Sequence, residues 1–274
     1  MSTVLQAPSP ERVDTPLGAI AYRSSGDAAR VSHVLLHGIG SASASWQAQL
    51  DWARGRTDVR LLAWDAPGYG LSSPVEPAWP QASDYGQRLW AWLDALGVRT
   101  PVVLVGHSLG AIMAAGAALQ QPQRVLRLLL LSPARGYGDT SEAERARMVH
   151  GRLDSLHRLG PAGMAQARAA AMLSPQARPE WIEAVRRNMA AIDPAGYTQA
   201  VHLLAQATVV KDLAALQLPV QVASGDADTI TPPAACDEVA AAAGVQRVSL
   251  GPVGHACAIE AADAVCRLFV PGES

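Results

Sequence analysis

The sequence predicts an α/β fold, a mostly parallel sheet with helices on both sides, and three observations carry that prediction. Short apolar runs bounded by Gly or Pro alternate with longer stretches at helical spacing. The short runs are apolar throughout rather than alternately polar, as strands covered on both faces are. At 105–111 the chain reads VGHSLGA, which sets one small polar residue, Ser108, between two glycines where an apolar strand passes into an apolar helix.

Taken in order, ERVDTPLGAIAYRSSG (11–26) reads as a hairpin turning at Leu17 and Gly18. VSHVLLHG (31–38) and DVRLLAWDAPG (58–68) follow as strands, and DYGQRLWAWLDALG (84–97) has the spacing of a helix. The strand PVVLVGHS (101–108) runs into the helix LGAIMAAGAALQQ (109–121), and RVLRLLLLSPA (124–134) is the next strand. The alternation then breaks. From about Ala134 to Leu213 there is no convincing strand, only helical segments separated by GYGD, LGPAG, LSPQARPE and DPAGY. LPVQVASGD (218–226) and VQRVSLGPVGH (245–255) complete the strands. An insertion of this size between two core strands is expected to lie over the carboxyl edge of the sheet, where ligands bind in open α/β sheets.

Composition narrows the functional classes. Hydrophobic residues make up 49% of the 274, charged residues 17%, and the formal net charge is -2, which fits neither a disordered chain nor an electrostatic footprint for nucleic acid. No basic run is longer than Arg186-Arg187. The N-terminal stretch MSTVLQAPSPERVDTPLGA lacks the basic and then apolar regions of a secretory signal. No segment reaches the ~18 uninterrupted apolar residues of a membrane span. Cys236, Cys257 and Cys266 follow no zinc or redox spacing and read as reduced thiols. A soluble cytoplasmic protein acting on a small molecule, without nucleic-acid or membrane partners, is the expectation; the oligomeric state is not legible.

Ser108 admits two readings. Ser before an apolar helix is a favoured N-cap, whereas a Gly-x-Ser-x-Gly bend between strand and helix presents the hydroxyl at the tip of a strained turn, as a nucleophile requires. A serine nucleophile needs a base and a group that orients the base. Of seven histidines, His255 alone combines a strand exit with a preceding glycine; His33 lies in a strand, His107 in the turn itself, and His150, His157 and His202 in the insertion. For the carboxylate, Asp228 is favoured over Asp226 because it sits farther into the loop that ends at Pro232-Pro233, leaving Asp226 to cap or brace the turn. The turn in LLHGIGSASASW leaves main-chain N–H groups free, so the amides of Ile39 and Leu109 are the candidate oxyanion donors. His37 and Asp65 are read as structural.

Five motifs in chain order, HGIG (37–40), DAPGYG (65–70), GHSLG (106–110), GDADTITP (225–232) and GHACAIE (254–260), resemble the α/β-hydrolase family along nearly the whole chain. The resemblance implies an eight-stranded, mostly parallel sheet with a helical cap inserted after strand six. It divides the chain into a core, 1–133 and 213–274, and a cap, 134–212. It also implies a Ser108-Asp228-His255 triad working without a metal or an organic cofactor.

A serine at 108, where dehalogenases and epoxide hydrolases of that family carry aspartate, points to acyl chemistry. The cap segment 179–205, with its Gly-Tyr pair, resembles 3-oxoadipate enol-lactonases, although Leu109, Gly110 and Ala111 depart from the Met-Gly-Gly usual there. The expected activity is therefore hydrolysis of a small ester or lactone. A C–C bond hydrolase of ring-fission products and a non-catalytic ligand-binding relative are the alternatives. Trp181, Arg186, Arg187, Met189 and Tyr197 are the candidate pocket residues, the two arginines as grips for a substrate carboxylate.

Overall fold

A computed structural model describes residues 9–270; the first eight residues, on which the reading of the N-terminus partly rests, and the last four lie outside it. The elements run β1 (Glu11–Val13), β2 (Ile20–Ser25), β3 (His33–Leu36), α1 (Gln47–Ala53), β4 (Leu61–Trp64), α2 (Ala82–Ala95), β5 (Val102–His107), α3 (Leu109–Gln120) and β6 (Val125–Leu131). They continue as α4 (Glu142–Arg168), α5 (Pro179–Ala190), α6 (Pro194–Gln206), α7 (Val209–Ala215), β7 (Val220–Ser224), α8 (Pro233–Ala242), β8 (Arg247–Ser249), α9 (Cys257–Glu260) and α10 (Ala262–Arg267). Among the described residues, eight strands form one sheet in the order β1-β2-β4-β3-β5-β6-β7-β8. β1, β2 and β4 pair antiparallel, and every pairing from β4 through β8 is parallel. This is the mostly parallel, eight-stranded sheet expected.

The order explains where a site can form. From β3 the chain moves outward to β4, and from β5 it moves the other way through β6, β7 and β8. Connections leaving β3 and β5 therefore part at their carboxyl ends and open a crevice between them.

The central strands are apolar along their length because both faces are covered. On one face α2, α3, α7 and α8 pack around Trp64, Trp92 and Leu104; on the other α1, α9 and α10 enclose Trp46, Leu50, Val105 and Phe269. α3 packs on β5, β6 and β3 and is flanked by α2, α6 and α7, which is why LGAIMAAGAALQ is apolar nearly all round rather than amphipathic. Its small residues permit close approach, and Trp90 Nε1 donates to the Ala117 carbonyl across the contact with α2.

Three differences from the sequence expectation have local causes. The stretch read as continuous strand over 245–255 pairs only at Arg247–Ser249, since Gly251 (φ 86°) and Pro252 turn the chain away. α1, a seven-residue helix after Trp46, was too short to show a period. The LGPAG break expected in the insertion is present: Gly160 (φ 61°, ψ 175°), followed by Pro161, leaves helical geometry and divides α4 into two helical segments. The boundary expected at 212/213 falls within α7, which packs on α3 and α8 beside the sheet, whereas α4 packs on α5 and α6.

α6 is fastened to the sheet's loops. A Cβ on Gly196 would stand 1.9 Å from the carbonyl oxygen of Gly68, so the first turn of α6 rests directly on the DAPGYG loop. Farther along, Gln199 donates to the carbonyls of Val75 and Pro77, His202 Nδ1 to that of Ala78, and Gln206 to that of Pro80. Side chains on one face of α6 thus hold a proline-rich segment that has no sheet partner.

Candidate active site

Ser108 follows β5 with φ 53° and ψ -115°, a left-handed conformation that a residue with a Cβ adopts at a cost of about 1–3 kcal/mol. Its N–H continues the sheet ladder to the Leu131 carbonyl, while its own carbonyl accepts from Ala111 and Ala134. The side chain makes no cap hydrogen bond, so the ordinary N-cap alternative is not what the chain adopts here. The flanking glycines are demanded by sterics. A Cβ on Gly106 would come 2.5 Å from the Gly110 carbonyl oxygen, and one on Gly110 would come 2.1 Å from that of Leu36.

The HGIG loop after β3 abuts this turn. A Cβ built on Gly38 would lie 3.0 Å from Ser108 Cβ and 3.5 Å from its Oγ. His37 sets the loop from below: its Nδ1–H donates to the Gly38 carbonyl at 2.8 Å, and Nε2 accepts from Ala66 N–H at 2.9 Å. Burial lowers the pKa of His37, which suits an imidazole used both as donor and as acceptor. Tyr69 donates to the Ile39 carbonyl at 2.7 Å, and Asp65 Oδ1 accepts from Ser43 N–H at 2.8 Å, so the DAPGYG segment braces the same loop. Among the described residues, the N–H groups of Ile39 and Leu109 have no hydrogen-bond partner. Both residues line the cavity into which Ser108 opens.

Asp228 follows β7 and His255 follows β8. His255 Nδ1 lies 2.9 Å from Asp228 Oδ2, while Asp228 Oδ1 accepts from the N–H groups of Ile230 at 2.8 Å and Thr231 at 2.9 Å. Thr231 is a participant that sequence reasoning missed: its hydroxyl donates to Asp228 Oδ2 at 2.8 Å and lies 3.1 Å from His255 Nδ1. Burial works to raise the pKa of Asp228, but the bond and charge of His255, together with the Thr231 donors, outweigh it and hold the carboxyl down to about 2. An ionised Asp228 fixes the His255 tautomer with the proton on Nδ1, leaving Nε2 as the basic nitrogen. Asp226, by contrast, is exposed and takes Arg247 and Ser249, tying β7 to β8.

In the sequence His107 shows only as part of the turn. Its Nε2–H donates to the His255 carbonyl at 2.8 Å. Glu260 supports the same loop by accepting from the N–H groups of Gly254 and Ser174 and from the Ser174 hydroxyl, and Ala256 N–H donates to the Met172 carbonyl at 2.7 Å. The segment carrying His255 is therefore tied to the middle of the insertion, between α4 and α5.

Ser108, His255, Ile39 and Leu109 share one cavity of about 300 Å³ at the carboxyl edge of the sheet, roofed by α4, α5 and α6. Ser108, Asp228 and His255 are 7%, 3% and 5% exposed, so chemistry at this point would be screened little by water. Of the candidate pocket residues, Met189 and Tyr197 line the cavity, Met189 reaching over Gly40. Trp181, Arg186 and Arg187 do not. Trp181 carries Arg178 over its ring, Arg186 bonds to Glu183, and Arg187 is exposed. Arg152 and Arg168 on α4 line the cavity instead, and no local spacing distinguished them.

Residues 34–268 match the family described as Alpha/beta hydrolase family. The chain belongs to it. Over 87% of this alpha/beta hydrolase family chain and 90% of the relative, it is 31% identical to RutD of Klebsiella pneumoniae (strain 342), whose name proposes carbamate hydrolysis. It is 26% identical to 3-oxoadipate enol-lactonase 2 of Acinetobacter baylyi, over 78% and 77% of the two chains. Among solved structures, a hydrolase from Pseudomonas aeruginosa PA01 superposes with a TM-score of 0.81 at 27% identity, covering 97% of this chain and all of that one. Among the described residues, no helix of this hydrolase-family chain is long and apolar enough to cross a membrane.

Proposed function

We propose that this chain is a serine hydrolase that cleaves a small carboxylic ester or lactone through an acyl-enzyme. The observation that carries the reading is a strained, uncapped Ser108 sharing one buried cavity with His255, whose Nδ1 is held by an ionised Asp228. In this mechanism Ser108 Oγ attacks the acyl carbon and His255 Nε2 takes its proton. Asp228 orients the imidazole and stabilises the imidazolium that forms. The oxygen of the tetrahedral intermediate becomes negative beside the N–H groups of Ile39 and Leu109, which have no other acceptor to leave. His255 returns the proton to the leaving oxygen. Water then attacks the acyl-enzyme by the same route, releasing acid and regenerating Ser108.

In this reading α4 to α6 form the cap, and Met189 and Tyr197 give the acyl group an apolar wall. A volume of about 300 Å³ is at the low end for ligand sites, which favours a small substrate. The enol-lactonase relative supports the lactone form of the proposal, and the RutD relative makes a carbamate the second acyl substrate to try.

The test is a panel comprising a short p-nitrophenyl ester, an enol-lactone, a carbamate and a dienoate ring-fission product, run with the wild type and with Ser108→Ala. Turnover of the ester or lactone, reduced by about four orders of magnitude or more in the variant, is the expected result. Turnover of the ring-fission product alone, or undiminished turnover in the variant, refutes it.

A further inference from the structure

Four charged side chains line the cavity: Arg135, Glu144, Arg152 and Arg168. Arg135 is paired with Asp139 and Glu238, and Glu144 is exposed. Arg152 and Arg168 are half-buried, and among the described residues neither guanidinium has a hydrogen-bond partner or a carboxylate within ion-pairing distance. Other arginines of the insertion are either paired, as Arg158 with Asp154 and Arg186 with Glu183, or exposed, as Arg147 and Arg187. Leaving a guanidinium partly desolvated without a partner is unfavourable, and two of them facing one cavity make it a positively charged enclosure.

Both line the cavity from α4, Arg152 before and Arg168 after the kink at Gly160. Burial pushes the Tyr69 phenol well above its usual range, Tyr85 and Tyr197 adding to this, while the charge of Arg152 opposes it. Arg152 thus lies within electrostatic reach of Tyr69, whose hydroxyl donates to the Ile39 carbonyl. Arg168 ends α4, four residues before Met172, whose carbonyl accepts from Ala256 N–H. The wall that they share includes Met164, Val185 and Met189, which suits a short methylene chain.

We infer that the substrate is itself an acid, an ester or lactone bearing a second, free carboxylate, and that Arg152 and Arg168 recognise that carboxylate. This rests on the hydrolase reading for its reaction, but not for its binding. A planar guanidinium without a partner is suited to bidentate capture of a carboxylate, and enclosure strengthens the bond relative to a surface pair. A neutral acyl chain of the same length would fill the apolar wall and leave both cations unpaired.

Two measurements test it. The first compares kcat/KM for the mono-p-nitrophenyl ester of adipic acid with that for p-nitrophenyl hexanoate, which has the same chain length. The acid is expected to be preferred about tenfold or more. Arg152→Gln and Arg168→Gln should each shrink the preference through KM, with Arg152→Lys retaining part of it, and added salt should compress it. The second measures the Tm of the wild type, Ser108→Ala and the two Gln variants with and without adipate. Adipate should raise the Tm of the first two and raise it less in the Gln variants. Hydrolysis of both esters without preference, or a preference unchanged in both variants, overturns the anion site and leaves the hydrolase reading standing. Stabilisation by adipate without hydrolysis of either ester supports the anion site and counts against the hydrolase reading; absence of both overturns the anion site.

Discussion

The Nε2–H of His107 donates to the main-chain carbonyl of His255 at 2.8 Å, and the two rings lie 4.9 Å apart. The residue before the candidate nucleophile thus holds the loop of the candidate base. Burial, with the charge of His255 adding, pushes His107 down to about 3, so it stays a neutral donor at working pH. His107→Ala should lower kcat by about 10- to 100-fold through misplacement of the base, with KM little changed. His107→Gln, which keeps an N–H donor, should recover most of the loss. Steady-state kinetics on a p-nitrophenyl ester check both.

Asp228 and Asp226 differ by two positions and hold different partners, which separates their roles cleanly. Asp228→Asn should cut kcat by about 10⁴-fold, because the amide no longer fixes the Nδ1–H tautomer of His255. Asp226→Asn removes an exposed contact to Arg247 and Ser249 and should leave turnover within about twofold. Side-by-side kinetics of the two variants decide between them.

The glycine after Ser108 is a packing requirement. A Cβ at 110 would sit 2.1 Å from the Leu36 carbonyl oxygen, in a sheet that cannot yield without moving β3. Gly110→Ala should destabilise the fold by at least ~3 kcal/mol, visible as a fall in Tm of roughly 6 °C or more or as loss of soluble protein. Gly151→Ala, within α4 at ordinary helical φ and with nothing within 4 Å, is the control for a glycine whose replacement meets no neighbour.

Stability should fall on the acid side of neutrality before the carboxylates titrate. Burial, with Arg127 assisting, pushes His33 down to about 4 from an ordinary value of 6.5. Between those values the unfolded chain binds a proton that the folded chain refuses, so the stability held above pH 6.5 is lost as pH falls toward 4. From pH 7 to pH 5 that loss is about 2 kcal/mol for His33 alone, and His107 adds to it. Urea titrations at the two pH values check the slope, which His33→Gln should flatten by about that amount.

What could be read in the sequence was what strong local physics writes there. Strands covered on both faces must be apolar throughout, so β3 to β7 showed as runs, and the close approach at Gly106 and Gly110 showed as glycine. Ser108, Asp228 and His255 could be picked because each leaves a strand at one edge of the sheet. Thr231 could not, since only the folded loop turns its hydroxyl toward both Asp228 and His255. Arg152 and Arg168 could not be told from Arg186 and Arg187, because an arginine on a helix looks the same in sequence whether it faces a cavity or water. The side of α4 that faces the cavity depends on the kink at Gly160, and that is a tertiary fact.

The measurement that bears most directly on the central claim is covalent labelling with a fluorophosphonate, located by peptide mass spectrometry, in the wild type and in His255→Ala. A single adduct on Ser108, formed at least ~100-fold more slowly in the variant, is the predicted result. An adduct on another residue, no adduct, or equal labelling rates in the two proteins would contradict an activated Ser108 served by His255.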